Sequence, residues 1–156
     1  MGSTVVAGLV FEINRREMFT AIKGEGARMN SQRISVSKAP TIMESLIATG
    51  FPVKDFDKLD QYLAIIREVV QDSHGVRRGG SAAVDLAYVA CGRYDAFFEY
   101  NLNPWDVAAG ILLIQEAGGI VTDFKGGDKM LFGKQILAGG KNHLELLELI
   151  KKHWSV

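Results

Sequence analysis

After Pro40 the sequence alternates short apolar runs with longer segments of helical periodicity, and this alternation constrains the fold most strongly. Strand-like runs cover residues 45–49 and 95–100, and helical patterns cover residues 57–71 and 81–90. Helices interleaved with short apolar strands indicate a layered α/β architecture. We therefore predict a mixed, mostly parallel sheet with flanking helices.

The first forty residues follow a different pattern, that of short strands separated by turns. Residues 5–12 are rich in β-branched and other apolar side chains, residues 17–23 alternate in polarity, and residues 33–37 suggest another short strand. This pattern indicates antiparallel pairing. We divide the chain into residues 1–40, whose strands are expected to join the sheet of a further N-terminal part, and residues 41–156, an α/β subdomain.

Composition excludes some classes of function. The 18 basic residues balance the 18 acidic ones, so no overall positive field attracts nucleic acid, which is not expected as a partner. No apolar run reaches the roughly 20 residues of a membrane span. Cys91, the single cysteine, precludes an intrachain disulfide and favours a reducing compartment. These features predict a cytoplasmic protein without a membrane partner.

The helix that opens at Asn103-Pro104 carries the first candidate for chemistry. Asparagine suits the cap and proline the first helical position. Asp106 then falls in the first turn, where backbone amides and the helix dipole stabilise an ionised carboxylate that can bind a hard cation such as Mg²⁺. Acidic residues also occupy helix starts for structural reasons alone. Local chemistry leaves both interpretations of Asp106 open.

Glu99 is the second candidate. It ends a predicted strand, seven positions before Asp106. Ligands of α/β sheets gather outside the carboxyl ends of strands, so the two carboxylates are placed to line one rim. A solvated loop glutamate would explain Glu99 equally well.

A glycine turn supplies the third candidate. Gly79 and Gly80 lead through Ser81 and Ala82 into a helix. Such a turn presents bare backbone amides to a phosphate or a sugar hydroxyl. It lacks the Gly-Lys-Ser/Thr of a Walker loop, and an ordinary tight turn also fits.

Other reactive or aromatic side chains receive structural interpretations. His74, His143 and His153 have neither metal-ligand spacing nor an evident acidic partner, so we predict surface positions for them. Cys91 is interpreted as a packing residue. Trp105 is predicted to pack in the core next to Asp106.

Taken together, these segments resemble the inositol monophosphatase family. Residues 105–110 (Trp-Asp-Val-Ala-Ala-Gly) and 116–119 (Glu-Ala-Gly-Gly) are similar to its C-terminal signature. Residues 80–85, 95–99 and 21–27 match other family segments in order and spacing. The resemblance covers nearly the whole chain and implies the C-terminal part of that family's sugar phosphatase fold.

The resemblance also implies an activity, the Mg²⁺-dependent hydrolysis of a phosphate monoester, inositol monophosphate being the substrate that Glu99 favours. By match to the motifs, Asp106 is a metal ligand and Glu99 hydrogen-bonds inositol hydroxyls. Gly80, Ser81 and Ala82 match the turn that contacts the substrate. Inhibition by lithium and a homodimer are further family expectations.

The chain departs from the family in one large respect. The signature Asp-Pro-(Ile/Leu)-Asp-Gly-Thr and the glutamate pair before it do not occur in this sequence. We expect them upstream of Val5. One aspartate cannot by itself organise the family's magnesium ions, which demand octahedral coordination. We therefore assign no catalytic residue here and expect an active full-length parent but an inactive isolated chain.

A non-catalytic function is the alternative. Some bacterial relatives of this family act in RNA processing and transcription, so the resemblance also allows a protein partner. A module that dimerises or binds such a partner would need no complete metal site. The opening strands are expected to expose edges and apolar surface, which predicts self-association of the isolated chain.

Overall fold

The computed structural model describes residues 4–155, which form two β-sheets and four α-helices. The strands are β1 (Ala7–Glu12), β2 (Glu17–Ile22), β3 (Gly26–Met29), β4 (Gln32–Arg33), β5 (Leu46–Thr49), β6 (Gly75–Arg77), β7 (Ala96–Tyr100), β8 (Ile120–Thr122) and β9 (Gln135–Gly139). The α-helices are α1 (Leu59–Asp72), α2 (Ala82–Ala90), α3 (Pro104–Glu116) and α4 (His143–His153). A short 3-10 helix covers Lys129–Leu131. Within this range, none of the helices combines the length and apolar character that crossing a membrane requires.

The first sheet is an antiparallel meander of β1 to β4 in sequence order. Val10, Phe19 and Ala21 point to its buried face, whereas Leu9 and Phe11 remain exposed. The strand predicted over residues 33–37 is mostly wrong, since β4 ends at Arg33. After β4 the backbone bonds to a helix and not to a strand. The Val36 amide donates to the Ala117 carbonyl at the end of α3, at 3.1 Å.

The second sheet has the order β6-β5-β7-β9-β8. Strand β5 pairs in parallel with both β6 and β7, and β9 pairs antiparallel with both β7 and β8. Every strand except β9 therefore runs in the same direction. The predicted mixed, mostly parallel sheet is confirmed.

Helices cover both faces of the second sheet. Alternate side chains of β7 enter different cores: Phe97 packs in the cluster that contains Leu86 of α2 and Leu113 of α3, and Phe98 packs with Tyr62 of α1. Helices α2 and α3 also pack against the first sheet. The order of layers is thus first sheet, α2 with α3, second sheet, α1 with α4. Each fully buried side chain of this size stabilises the fold by about 1.5–3 kcal/mol.

The sequence also predicts Asp57 as the cap of α1 and a capping box between Asn142 and Glu145 at the start of α4, and the structure contains neither. Helix α1 begins at Leu59 with Lys58, not Asp57, at its cap. Asn142 does precede α4, but its amide donates to Ser45 Oγ at 2.7 Å instead of forming a capping box. Glu145, the expected partner in that box, accepts the Ile42 amide at 2.8 Å.

Two of the three histidines also differ from the prediction. His143 is buried, and its Nε2 lies 3.1 Å from Thr122 Oγ1. His153 has an acidic partner, since its Nε2 lies 2.5 Å from Glu68 Oε2. Both contacts join elements far apart in sequence, so local spacing gave no sign of them.

Candidate functional site

A cavity of about 800 Å³ lies where the carboxyl ends of β5 and β7 meet the N-terminal ends of α2 and α3. This is the edge at which ligands of α/β sheets collect. All five residues singled out from the sequence contribute to its lining: Gly80, Ser81, Ala82, Glu99 and Asp106. Their convergence makes the cavity the candidate site; the individual roles stay predictions.

Asp106 lies in the first turn of α3 and caps it. The Asn103 amide donates to Asp106 Oδ2 at 2.9 Å, and the Asp106 amide donates to the Asn103 carbonyl at 3.0 Å. Pro104 occupies the first helical position, as predicted. The same carboxylate also lines the cavity. The structural interpretation of Asp106 is therefore observed, and its exposure to the cavity leaves the metal-binding prediction open.

Glu99 is a buried strand residue, not the solvated loop glutamate of the alternative interpretation. It is 9% exposed and lies one residue before the end of β7. Burial, reinforced by the charge of Asp85, raises the pKa of the Glu99 carboxyl to about 7 against an opposing effect of Arg78, and Asp106 adds a further increase. No residue in the range 4–155 donates a hydrogen bond to the Glu99 carboxylate.

Asp85 also belongs to the candidate site, although no role was predicted for it from the sequence. It lies in the first turn of α2, is 2% exposed and lines the cavity. Burial raises the pKa of its carboxyl to about 6, against the opposing charge of Arg78. A signal was present, since Asp85 is the one charged residue in an otherwise apolar helix that follows a glycine turn.

The glycine turn delivers the start of α2 to the cavity. Gly80 has a φ of +100°, a conformation that favours glycine. Ser81 is the N-cap residue in extended conformation, and its side chain makes no capping hydrogen bond. The first amides of α2, at Ala82 and Ala83, therefore begin the helix at the cavity wall without a side-chain cap.

Basic and aromatic side chains also contribute to the lining. Lys54, Arg78 and Lys134 contribute positive charge, so the cavity combines carboxylates with cations. Trp105 also lines it and is 79% exposed, which shows that the predicted core position was wrong. The buried residues of α3 begin instead at Val107.

The carboxylates of the cavity do not form a metal site by themselves. Among residues 4–155 no group of three or more His, Cys, Asp or Glu side chains is close enough to hold a metal ion. Mg²⁺ prefers six oxygen ligands in near-octahedral order. The donor set supplied by this part of the chain therefore does not fit a magnesium ion without further ligands.

Another buried carboxylate, Asp123, has a different environment. Its Oδ1 accepts the amides of Lys125 and Gly127, both at 2.8 Å, and its Oδ2 accepts that of Lys129 at 3.3 Å. A second, smaller cavity of about 450 Å³ lies beside this loop. The hydrogen bonds account for Asp123 as a loop-organising residue.

Comparison with known proteins gives a consistent result. The Inositol monophosphatase family profile matches residues 2–155. A Nus factor SuhB of Pseudomonas aeruginosa is 47% identical over 148 residues, covering 93% of this chain and 55% of the relative. The Nus factor SuhB of Escherichia coli K12 is 47% identical over 138 residues, covering 88% of this chain and 51% of the relative.

Solved structures agree in fold as well as in sequence. The extragenic suppressor protein suhB from Bartonella henselae superposes with a TM-score of 0.91 at 43% identity, covering 96% of this chain and 57% of that one. An inositol monophosphatase from Anabaena gives a TM-score of 0.90 at 36% identity, covering 95% and 59%. The chain thus spans about half the length of the relatives that it matches.

Proposed function

This chain belongs to the inositol monophosphatase family, and we propose that it forms the substrate-binding part of a Mg²⁺-dependent phosphomonoesterase for inositol monophosphate. One observation supports this most. Glu99, Asp106 and residues 80–82, the positions that match the family's substrate and metal motifs, line a single cavity.

Each group has a distinct proposed role. Glu99 accepts hydrogen bonds from ring hydroxyls, since a buried carboxylate without a donor favours a ligand that supplies one. The turn at residues 80–82 and the first amides of α2 donate to substrate oxygens. Asp106 uses Oδ2 for its cap and offers Oδ1 to a cation.

Hydrolysis itself is proposed for a longer polypeptide. The residues of this chain do not complete a magnesium site, and the relatives are about twice as long. We therefore assign no bond-breaking step to this chain and expect it to bind substrate without turnover. Lithium inhibition is expected only of the longer form.

The test is release of phosphate from inositol 1-phosphate with and without Mg²⁺. The 156-residue chain is expected to show no turnover above buffer. The full-length parent is expected to show Mg²⁺-dependent turnover that Asp106→Asn reduces by at least a hundredfold, whereas Asp128→Asn, an exposed loop substitution, leaves it unchanged. Metal-dependent turnover by the isolated chain would contradict the assignment of the remaining ligands, and an inactive parent would contradict the proposed activity.

Partner binding without catalysis is the second candidate function. Several relatives are named Nus factor SuhB, a name that refers to a protein factor and not to a hydrolase. The first sheet supports an interaction surface, since Leu9, Phe11, Met18 and Ile22 are each 43–56% exposed on the face opposite α2 and α3. Exposed apolar groups of this kind mark interaction sites.

A homodimer is the simplest occupant of this face, and light scattering across a tenfold concentration range tests it. Self-association is expected for the wild-type chain and should weaken in Leu9→Lys. Leu144→Lys, the same change at an exposed position of α4, is the control and should leave self-association unchanged. A monomer at every concentration would contradict homodimer formation.

A further inference from the structure

Two carboxylates in the candidate cavity are buried without hydrogen-bond donors from residues 4–155. Asp85 is 2% exposed and Glu99 is 9% exposed, yet neither makes a hydrogen bond or an ion pair within that range. Burial of a carboxylate without a donor is unfavourable, and buried polar groups in native proteins are rarely left unsatisfied. Both carboxylates line an open cavity, so water supplies their donors in the free chain and the hydroxyl groups of a ligand can replace that water.

Two glycines make room for these carboxylates. A Cβ at Gly79 would lie 2.2 Å from Asp85 Oδ1, and a Cβ at Gly50 would lie 2.2 Å from Glu99 Cδ. Neither glycine has the positive φ that would itself require glycine. Space for a carboxylate, and not backbone conformation, is therefore the physical reason for glycine at both positions.

We propose that Asp85 binds the ligand directly, as a second acceptor beside Glu99, and that the pair recognises two hydroxyl groups of a polyol phosphate. Hydroxyl groups donate to carboxylates without bringing a charge into the site. The proposal rests on the proposed function, because it takes a hydroxyl-rich phosphate ester as the ligand.

The basic part of the lining favours a ligand that also carries a phosphate, although Asp55 and Asp106 add negative charge to the same cavity. Arg78, Lys54 and Lys134 line the same cavity, and α2 directs its uncapped amides there. Positive groups of this kind attract the phosphate of such an ester. Burial raises the pKa of both carboxyls, which is consistent with acceptors that lack protein donors.

Calorimetric titration of the 156-residue chain with myo-inositol 1-phosphate tests the proposal without turnover. Asp85→Asn is expected to weaken binding by about ten- to a hundredfold, the effect of losing a hydrogen bond to a charged group. Asp60→Asn is the matched control, because Asp60 also lies in the first turn of a helix but is exposed and outside the cavity. Its affinity should equal that of the wild-type chain.

A panel of monodeoxy-inositol 1-phosphates locates the hydroxyl that Asp85 accepts. One analogue should bind the wild-type chain at least tenfold more weakly than the parent ligand, yet lose little further affinity in Asp85→Ala. Such non-additivity is the signature of a direct contact. Equal, additive losses for every analogue would overturn the pairing of Asp85 with a ligand hydroxyl.

Thermal unfolding separates ligand binding from a structural role. A residue needed only for folding would lower the midpoint of unfolding when changed, whereas Asp85→Asn should keep or raise it while affinity falls. Unchanged affinity in Asp85→Asn, or no binding by the wild-type chain, overturns the inference. Phosphate release by the parent and its Asp106→Asn variant decides the proposed function separately, so either can fail alone.

Discussion

Two buried carboxylate environments in this chain differ in what surrounds them. Asp123 sits in a loop that turns three amides toward it, whereas Asp85 and Glu99 sit at a cavity with no donor from residues 4–155. A glycine stands close in each case; a Cβ at Gly127 would lie 2.9 Å from Asp123 Oδ2, and Gly79 and Gly50 are closer still to their carboxylates.

This contrast indicates that Asp123 has a structural role, whereas Asp85 and Glu99 are available to a ligand. Asp123 is stabilised by its own loop, so folding satisfies it. Asp85 and Glu99 are placed by helix and strand packing, and folding leaves their hydrogen-bonding capacity open. Stability should therefore depend on the first and be opposed by the others.

Removal of the loop carboxylate is expected to have the largest effect. Asp123→Ala leaves three amides without their acceptor and should lower the free energy of unfolding by about 3 kcal/mol. Urea denaturation of the variant measures it. Asp128→Ala, an exposed change in the same loop, should cost little. Equal stability of the two variants would show that the hydrogen bonds to Asp123 do not stabilise the fold.

Replacing the Asp85 carboxylate with a neutral side chain should raise the free energy of unfolding. The pKa of Asp85 is raised from 3.8 to about 6 in the folded chain, so its ionisation opposes folding and stability falls as pH rises between these values. Asp85→Asn should therefore increase stability by about 2 kcal/mol at pH 8.

Denaturation at pH 8 and near pH 3 tests this sign. The difference between Asp85→Asn and the wild-type chain should nearly vanish at the lower pH, where the wild-type carboxyl is protonated in both states. A variant that is less stable at pH 8 would show that Asp85 has a stabilising partner.

A larger side chain at Gly50 tests whether the space beside the Glu99 carboxylate requires glycine. Gly50→Ala places a methyl group where the carboxylate lies and should cost about 1–2 kcal/mol, since overpacked sites pay strain. Gly75→Ala is the control, because a Cβ there meets its neighbours at no less than 3.5 Å. Thermal unfolding of both variants should show a loss for Gly50→Ala alone.

The two ion pairs of Glu68 are expected to give the smallest effect. Lys152 and His153 on α4 contact Glu68 on α1, and their hydrogen bonds lower the pKa of Glu68. Its contribution is present above pH 4.5 and is lost as pH falls through the lower folded value. Glu68→Gln should cost less than about 1 kcal/mol at pH 7, and 1 M salt should reduce that difference in a denaturation experiment.

Prediction from sequence succeeded where the determining forces are local. Apolar periodicity identified α1, and the Asn103-Pro104 pair marked the start of α3 correctly. The sequence also predicts Gly92 as the stop of the helix over residues 81–90, and it follows the last turn of α2 with a φ of +75°. Each signal depends on side chains within a few residues of one another.

The same reasoning failed where partners are distant in sequence. Asn142 was expected to cap its own helix but bonds Ser45, 97 positions away. His143 was expected at the surface and is buried against Thr122. Trp105 was expected in the core, yet it is exposed and lines the cavity. Distant partners compete with local ones, and local pattern does not reveal which will prevail.

By itself the sequence determined the alternation of strands and helices, their approximate limits, the family and the segments at which chemistry was to be sought. Only the tertiary structure showed that Asp85, Glu99 and Asp106 line one cavity, because long-range packing brings β5, β7, α2 and α3 to one edge of the sheet. It also decided that Asp85 and Glu99 are buried without donors while Asp123 is fully bonded. Burial and hydrogen bonding depend on the whole surrounding fold, whereas periodicity depends on the chain alone.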